Sequence, residues 1–125
     1  MQYGKHLLVE AITKNPKGLD NSNFIKGLFK NIVRAVKMKA VLPTTIYKFP
    51  QHKKSLNTAS GLTAFCIVAE SHLSIHTWPE NNYFAFDLFS CRNFDEKKVI
   101  SIIKNSFSVK KIHFKTIDRG ISINF

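Results

Sequence analysis

Eleven residues, Glu70–Glu80, concentrate the groups that could do chemistry: two carboxylates, two serines, a threonine, two histidines and a tryptophan, reading Glu-Ser-His-Leu-Ser-Ile-His-Thr-Trp-Pro-Glu. A thiol, Cys91, follows shortly after. Hydroxyl, imidazole and thiol are the reagents of nucleophilic and acid–base catalysis, and a structural turn between two strands has no need of them. The stretch is therefore a candidate active site.

Ser71 carries the most specific chemistry. Its hydroxyl lies one residue past the Glu70 carbonyl and can attack it through a five-membered ring. A well-aligned intramolecular nucleophile gains up to about 7–11 kcal/mol of barrier. The product of this N-to-O acyl shift is an ester with a free amine. Removal of the serine Cα proton then eliminates the ester, cuts the chain and leaves a dehydroalanine, which hydrolyses to ammonia and an N-terminal pyruvoyl group. His76, five residues on, is the obvious base. The step needs a distorted Glu70–Ser71 peptide and donors for the developing oxyanion. Thr63, on a neighbouring strand, is a candidate for that hydroxyl donor. An isolated Glu-Ser pair in a strand is more often a surface pair, and the residues alone leave that reading open.

The elements that must position this stretch follow from pattern. His6–Ile12 is a short apolar strand, ended by the turn formers Asn15-Pro16-Lys17-Gly18. Leu19-Asp20-Asn21-Ser22 offers N-cap side chains for a helix whose apolar residues Phe24, Ile25, Leu28, Ile32, Val33 and Val36 recur at helical spacing, ending near Lys37. A β-rich run from Lys39 to Phe49 follows, with Pro43 arguing for an edge position or a bulge early in it. Pro50–Ser60 reads as the one long loop. Gly61–Ala69 is a continuous apolar run, the mark of a central strand covered on both faces. His72–Trp78 alternates, so His72, Ser74 and His76 share one face. Asn81-Asn82 turns it into Tyr83–Cys91. Asp95-Glu96 opens a second helix with Val99, Ile100, Ile103 and Phe107 inward, and Lys110–Ile117 is a last strand. The economical arrangement is a two-layer α+β sandwich: a mainly antiparallel sheet with two helices on one face. The other face is then bare, and a second copy is the simplest cover, giving an α/β/β/α dimer.

At 125 residues the chain is expected to be one domain, 1–125. No apolar run is long enough for a membrane span and no leader pattern opens it, so no membrane partner is expected. Both cysteines sit in apolar runs, which suggests a reducing cytoplasm rather than a disulfide framework. The net charge of +11 raises nucleic acid as a partner. Its basic residues are scattered rather than interleaved with aromatics, so solubility is the preferred explanation. A non-catalytic basic binding module is the rival reading from another class.

The block Ala69–Glu80, followed by Tyr83 and Asp87-Leu88-Phe89-Ser90-Cys91, closely resembles the prokaryotic S-adenosylmethionine decarboxylase proenzyme. Gly4-Lys5-His6-Leu7, Leu19-Asp20-Asn21 and Arg119-Gly120 are similar to the same family, so the resemblance runs through nearly the whole chain. It implies cleavage between Glu70 and Ser71 into 1–70 and 71–125, with Ser71 becoming a covalent pyruvoyl cofactor, and neither metal nor pyridoxal phosphate. His76 would be the processing base, Thr63 would assist processing, and Cys91 would return a proton to the substrate Cα after decarboxylation. Glu80 would bind the ribose hydroxyls, with Phe49 and Trp78 flanking the adenine. The pyruvoyl ketone would condense with the substrate amine and act as electron sink. The family is homodimeric with sites at the interface, and its product feeds aminopropyl transfer to spermidine.

Some residues depart from the family's habit. Thr63 stands for serine, Ala64 for glycine, Tyr47 for an imidazole and Arg92 for glycine, and the loop at 50–60 is longer. Relatives that decarboxylate arginine or ornithine use the same pyruvoyl chemistry and form the alternative substrate class. Cys66 reads as core, His72 as lining the site, and His6, His52 and His113 as without a catalytic case. Glu10 reads equally as a strand-end charge or a substrate contact.

Overall fold

The computed structural model describes residues 3–50 and 61–120. Its elements are β1 (Gly4–Thr13), α1 (Ser22–Ala35), β2 (Thr45–Phe49), β3 (Gly61–Val68), β4 (Ser71–Trp78), a 3₁₀ turn (Pro79–Asn81), β5 (Tyr83–Ser90), α2 (Glu96–Phe107) and β6 (Val109–Arg119). The six strands form one sheet in the order β2-β3-β4-β5-β1-β6, antiparallel at every pairing. Both helices lie on the same face, the α+β sandwich expected from the pattern. The loop expected at 50–60 falls almost wholly outside the described residues.

Alternation decides the two faces. Leu7, Val9 and Ala11 of β1, Leu62, Ala64, Cys66 and Val68 of β3, Leu73 and Ile75 of β4, and Phe84, Phe86 and Leu88 of β5 are buried beneath the helices. Ile25, Leu28, Phe29, Ile32 and Val33 of α1 and Val99, Ile100, Ile103 and Phe107 of α2 meet them. Burying so many Leu, Ile and Phe side chains, each contributing about 1.5–3 kcal/mol, is what fixes the pairing register. Both helices open on side-chain caps, Asn21 accepting from the Phe24 amide and Asp95 from the Lys97 amide.

Two expectations change. The β-rich run from Lys39 contracts to Thr45–Phe49, an edge strand, with one isolated bridge between Ala40 and Val68 upstream of Pro43. Proline lacks the amide a ladder needs, so pairing resumes only beyond it. And β3 is not covered on both faces: Phe65 and Ile67 are 41% and 40% exposed. Their apolar character belongs to a sheet face that none of the described residues covers. Leu8, Ile12 and Ile117 are similarly exposed on it.

Gly61, at the start of β3, has φ +119°, and a Cβ there would stand 2.3 Å from the Thr77 carbonyl oxygen. The strand can begin only with glycine at that point.

The start of α2 is tied to β1 by Lys5, whose ammonium donates to the Phe94 carbonyl and Asn93 Oδ1 at 2.9 Å each and to the Glu96 carboxylate. Burial pushes the Glu96 carboxyl up. Hydrogen bonds from Lys5, the Glu96 amide and Thr116, with the Lys5 charge, outweigh it and hold the group below its ordinary 4.5. A depressed carboxyl stabilises the fold above its unfolded pKa and loses that contribution as pH falls through the folded one. In acid-unfolding titrations below about pH 4.5, Lys5→Met is therefore expected to be less stable at neutral pH and to lose less stability on acidification than the parent chain.

Candidate active site

The stretch that opened the sequence forms the turn between β3 and β4 and the whole of β4. Val68 pairs with Ser71, so Ala69 and Glu70 alone make the hairpin loop. Two-residue loops ordinarily take positive φ at the loop residues themselves. Here Ser71, the first residue of β4, has φ 156°, while neither Ala69 nor Glu70 is positive. L-residues seldom adopt that value, and such geometry costs on the order of 1–3 kcal/mol and persists only where neighbours impose it.

The neighbours are visible. Ser71 is paired on both sides, with Val68 and with Ser90. The Ala69 amide donates to the Lys39 carbonyl at 2.8 Å. Glu70 Oε1 accepts from the Lys39 amide at 3.2 Å, and Glu70 Oε2 lies 3.6 Å from the Arg92 guanidinium. Arg92 in turn donates to the Lys37 carbonyl at 2.6 Å, at the C-terminal end of α1 where a cation is favoured. The non-glycine residue at this position thus clamps the turn to the helix.

The Cys91 amide donates to the Glu70 carbonyl oxygen at 2.9 Å. That oxygen is the one that would carry negative charge if Ser71 attacked, so a donor already stands where an oxyanion would form. Within one chain Thr63, expected as the hydroxyl donor, does not stand at this place. Thr63 pairs with His76, five residues along β3 from Val68, roughly 17 Å away at strand rise. Its hydroxyl bonds His76 Nδ1 at 2.7 Å instead.

The same arithmetic applies to His76. It shares β4 with Ser71, five residues further on, so within one chain the imidazole is again roughly 17 Å from the serine. The candidate residues fall into two groups at opposite ends of the sheet. Glu70, Ser71 and Cys91 occupy one end. Thr63, His76, Trp78, Phe49 and Glu80 occupy the other, Phe49 pairing with Gly61 and Glu80 lying in the 3₁₀ turn after Trp78. There the aromatic rings line up: His76 to Trp78 at 5.8 Å, Trp78 to Tyr83 at 5.4 Å and Tyr47 to Phe49 at 5.0 Å. His76 and Glu80 are exposed. Burial, and secondarily the charge of Glu10, push the Tyr83 phenol above its ordinary value.

Between the ends lies a polar cluster on the same open face. His6 Nε2 is 2.7 Å and His72 Nε2 3.4 Å from Asp87 Oδ2, and Ser74 donates to Asp87 Oδ1. The ligand atoms of His6, His72 and Asp87 lie within 4.8 Å of one another, a grouping that could hold a metal ion. The short contacts present are those of hydrogen bonds to one carboxylate. His6, Ser74 and Asp87 were not read as functional from the sequence. The available signal was Asp87, a charge inside an apolar strand, whose register opposite Ser74 puts it on the histidine face.

A hydrogen-bonded backbone carbonyl ahead of a strained serine at a hairpin turn, on a two-layer α+β domain, is the class these features define. A family model described as S-adenosylmethionine decarboxylase matches residues 5–120. A Clostridium botulinum (strain Langeland) protein named S-adenosylmethionine decarboxylase proenzyme is 34% identical over 123 residues, covering 96% of this chain and 97% of that protein. A Pyrococcus horikoshii protein of the same name is 34% identical over 119 residues, covering 94% and 79%. The crystal structure of the adenosylmethionine decarboxylase from Aquifex aeolicus VF5 superposes with a TM-score of 0.80 at 24% identity, covering 96% of this chain and 92% of that one. The chain belongs to the S-adenosylmethionine decarboxylase family.

The two thiols differ sharply. Cys91 is exposed, while Cys66 is 2% exposed in the core. In native protein a disulfide reagent such as DTNB is expected to modify Cys91 rapidly and Cys66 only on unfolding, as tryptic peptide masses will report; equal rates at both would contradict the packing around Cys66.

Proposed function

We propose that this chain is a self-processing, pyruvoyl-dependent decarboxylase of S-adenosylmethionine that works as a homodimer. The observation that carries the reading is the Glu70–Ser71 peptide: a serine at φ 156° follows a carbonyl that accepts the Cys91 amide at 2.9 Å. These residues suit a pyruvoyl group made in place, because the hydroxyl, the attacked carbonyl and an oxyanion donor are all local. The pyruvoyl group supplies a carbonyl that takes up the electron pair released when the carboxylate leaves.

The chain's own residues then divide the remaining work. The strained turn raises the ground state of the peptide that must break, and the Cys91 amide stabilises the charge of its tetrahedral intermediate. Cys91, whose side chain is solvent-accessible beside the cleavage point, returns a proton to the substrate carbon. Trp78 and Phe49 offer apolar ring faces to an adenine and a favourable quadrupole to a sulfonium. The Glu80 carboxylate accepts from a ribose diol. His76, with Nδ1 hydrogen-bonded to Thr63, is held in one orientation as the base that removes the Ser71 Cα proton.

A second copy reconciles these roles with the two separated groups. An isologous pair of open faces, related by a two-fold axis through the middle of the sheet, sets the Ser71–Cys91 end of each chain against the Thr63–His76–Trp78 end of the other. Leu8, Ile12, Phe65, Ile67 and Ile117 supply the apolar surface that such pairing would bury.

Intact mass is the direct test. The purified protein is expected as two chains, residues 1–70 and 71–125, the second beginning with pyruvoyl, and Ser71→Ala as one uncleaved chain. Carbon dioxide release from carboxyl-labelled S-adenosylmethionine, with arginine and ornithine in parallel, tests the substrate; turnover of the amino acids alone would overturn it.

Complementation tests the shared site. Ser71→Ala and His76→Ala chains are each expected to stay uncleaved alone. Co-refolded, they place one intact pair of ends together, so about a quarter of the chains should process at the random-pairing limit. No cleavage in the mixture would refute a site built from two copies.

A further inference from the structure

Among the described residues one imidazole reaches Ser71 within a single chain, and it is not His76. Ser71 Oγ lies 3.3 Å from His72 Nδ1, and the other nitrogen of that ring, Nε2, lies 3.4 Å from Asp87 Oδ2. Both spacings are at the long end of hydrogen bonding, as is common before a reacting complex tightens. We propose that Ser71, His72 and Asp87 form a hydroxyl–imidazole–carboxylate relay in which His72 is the general base for the first step of self-cleavage. The proposal deepens the self-processing reading and rests on it.

The direction of the relay follows from what each atom can do. An ionised carboxylate only accepts, so the Nε2 atom facing Asp87 carries the ring proton. In the neutral ring Nδ1 is then an acceptor, turned toward the serine hydroxyl. Asp87 is itself fixed: Oδ2 also accepts from His6 Nε2 at 2.7 Å, and Oδ1 from Ser74. A carboxylate engaged by three donors is held in one orientation, and it holds the tautomer of His72. The ring is also clamped by packing. Phe65 stacks on it at 5.2 Å with 19° between planes, and Phe89 lies tilted at 5.9 Å. The side chains of His72 and Asp87 are only 29% and 21% exposed, so the charge that develops on the imidazole faces its counter-ion with partial screening.

The step balances in atoms and protons. Ser71 Oγ forms a bond to the Glu70 carbonyl carbon as its proton passes to His72 Nδ1. The oxyanion on the Glu70 oxygen is met by the Cys91 amide, and the imidazolium by Asp87. Collapse breaks the bond to the Ser71 nitrogen, which takes the proton back from His72 as it leaves. The product is an ester with a free amine, and His72 ends neutral. No oxidant or external reactant enters. His76 keeps the later and different task of removing the Cα proton, so the two histidines act on different bonds at different times. His72 touches the reacting atom; Asp87 and His6 are positioning residues.

The test separates the steps by the species that accumulates. The full chain is pulse-synthesised in a cell-free translation reaction and sampled over time by intact mass, with and without hydroxylamine, which cleaves the ester but not the peptide. The wild-type chain is expected to process. His72→Gln should lose about a hundredfold or more in rate, the usual worth of a general base, and accumulate precursor resistant to hydroxylamine. His76→Gln should instead accumulate the hydroxylamine-sensitive ester. Asp87→Asn, which keeps the shape but not the tautomer, should slow ester formation at least tenfold. Imidazole added to His72→Ala should restore part of the rate, which a purely structural role would not allow. Ester formation in His72→Gln at the wild-type rate, or no rescue in a folded His72→Ala chain, would overturn the relay while leaving self-processing intact. A wild-type chain that never cleaves would overturn the self-processing reading itself.

Discussion

The register of β4 between β3 and β5 is the constraint on which the rest depends. Leu73 and Ile75 enter the core from one face, which commits His72, Ser74, His76 and Trp78 to the other. A slip of one residue would exchange the two sets, at the cost of burying two imidazoles and exposing the apolar pair. The same register puts Ser71 opposite Ser90, which brings the Cys91 amide under the Glu70 carbonyl, and puts Asp87 opposite Ser74. Core packing and reactive geometry are therefore one choice.

Much of this was legible in the sequence because it rests on period and capping. The α1 stripe, the Asn21 and Asp95 caps, the alternation of β4 and the antiparallel α+β arrangement follow from spacing that burial enforces. Harder to see was that β3 shares the uncovered face. Phe65 and Ile67 made β3 look buried on both sides, since an apolar residue reads alike whether the same chain or another molecule covers it. Pro43 signalled an edge strand, yet the length of β2 depended on where pairing resumes after it.

The candidate residues stand out in the sequence, but the distances between them do not. Ser71 and His76 were linked by their proximity in sequence, although five residues of extended strand put them far apart in space; the alternation that identified β4 already contained that conclusion. The oxyanion donor left no trace, because a backbone amide has no residue type. Thr63 was chosen as a hydroxyl on an adjacent strand, without the register to say which part of that strand lies beside the turn. His72 reads from the sequence only as lining the site, because its neighbours His6 and Asp87 come from strands distant in the chain and meet only in the folded sheet.

The strand order has a consequence for the life of the molecule. Residues 1–70 contain β1, α1, β2 and β3, and residues 71–125 contain β4, β5, α2 and β6, yet β1 lies between β5 and β6. A cut at the hairpin tip thus yields two polypeptides whose strands interleave, with one ladder on each side of β1 and a third between β3 and β4. Neither fragment would keep the sheet of the parent, so under the proposed self-cleavage the native arrangement must be reached before the cut. Once cut, regaining it from an unfolded state becomes an encounter between two different molecules and depends on their concentration. The persistence of the mature form then rests on how slowly it opens rather than on how readily it refolds.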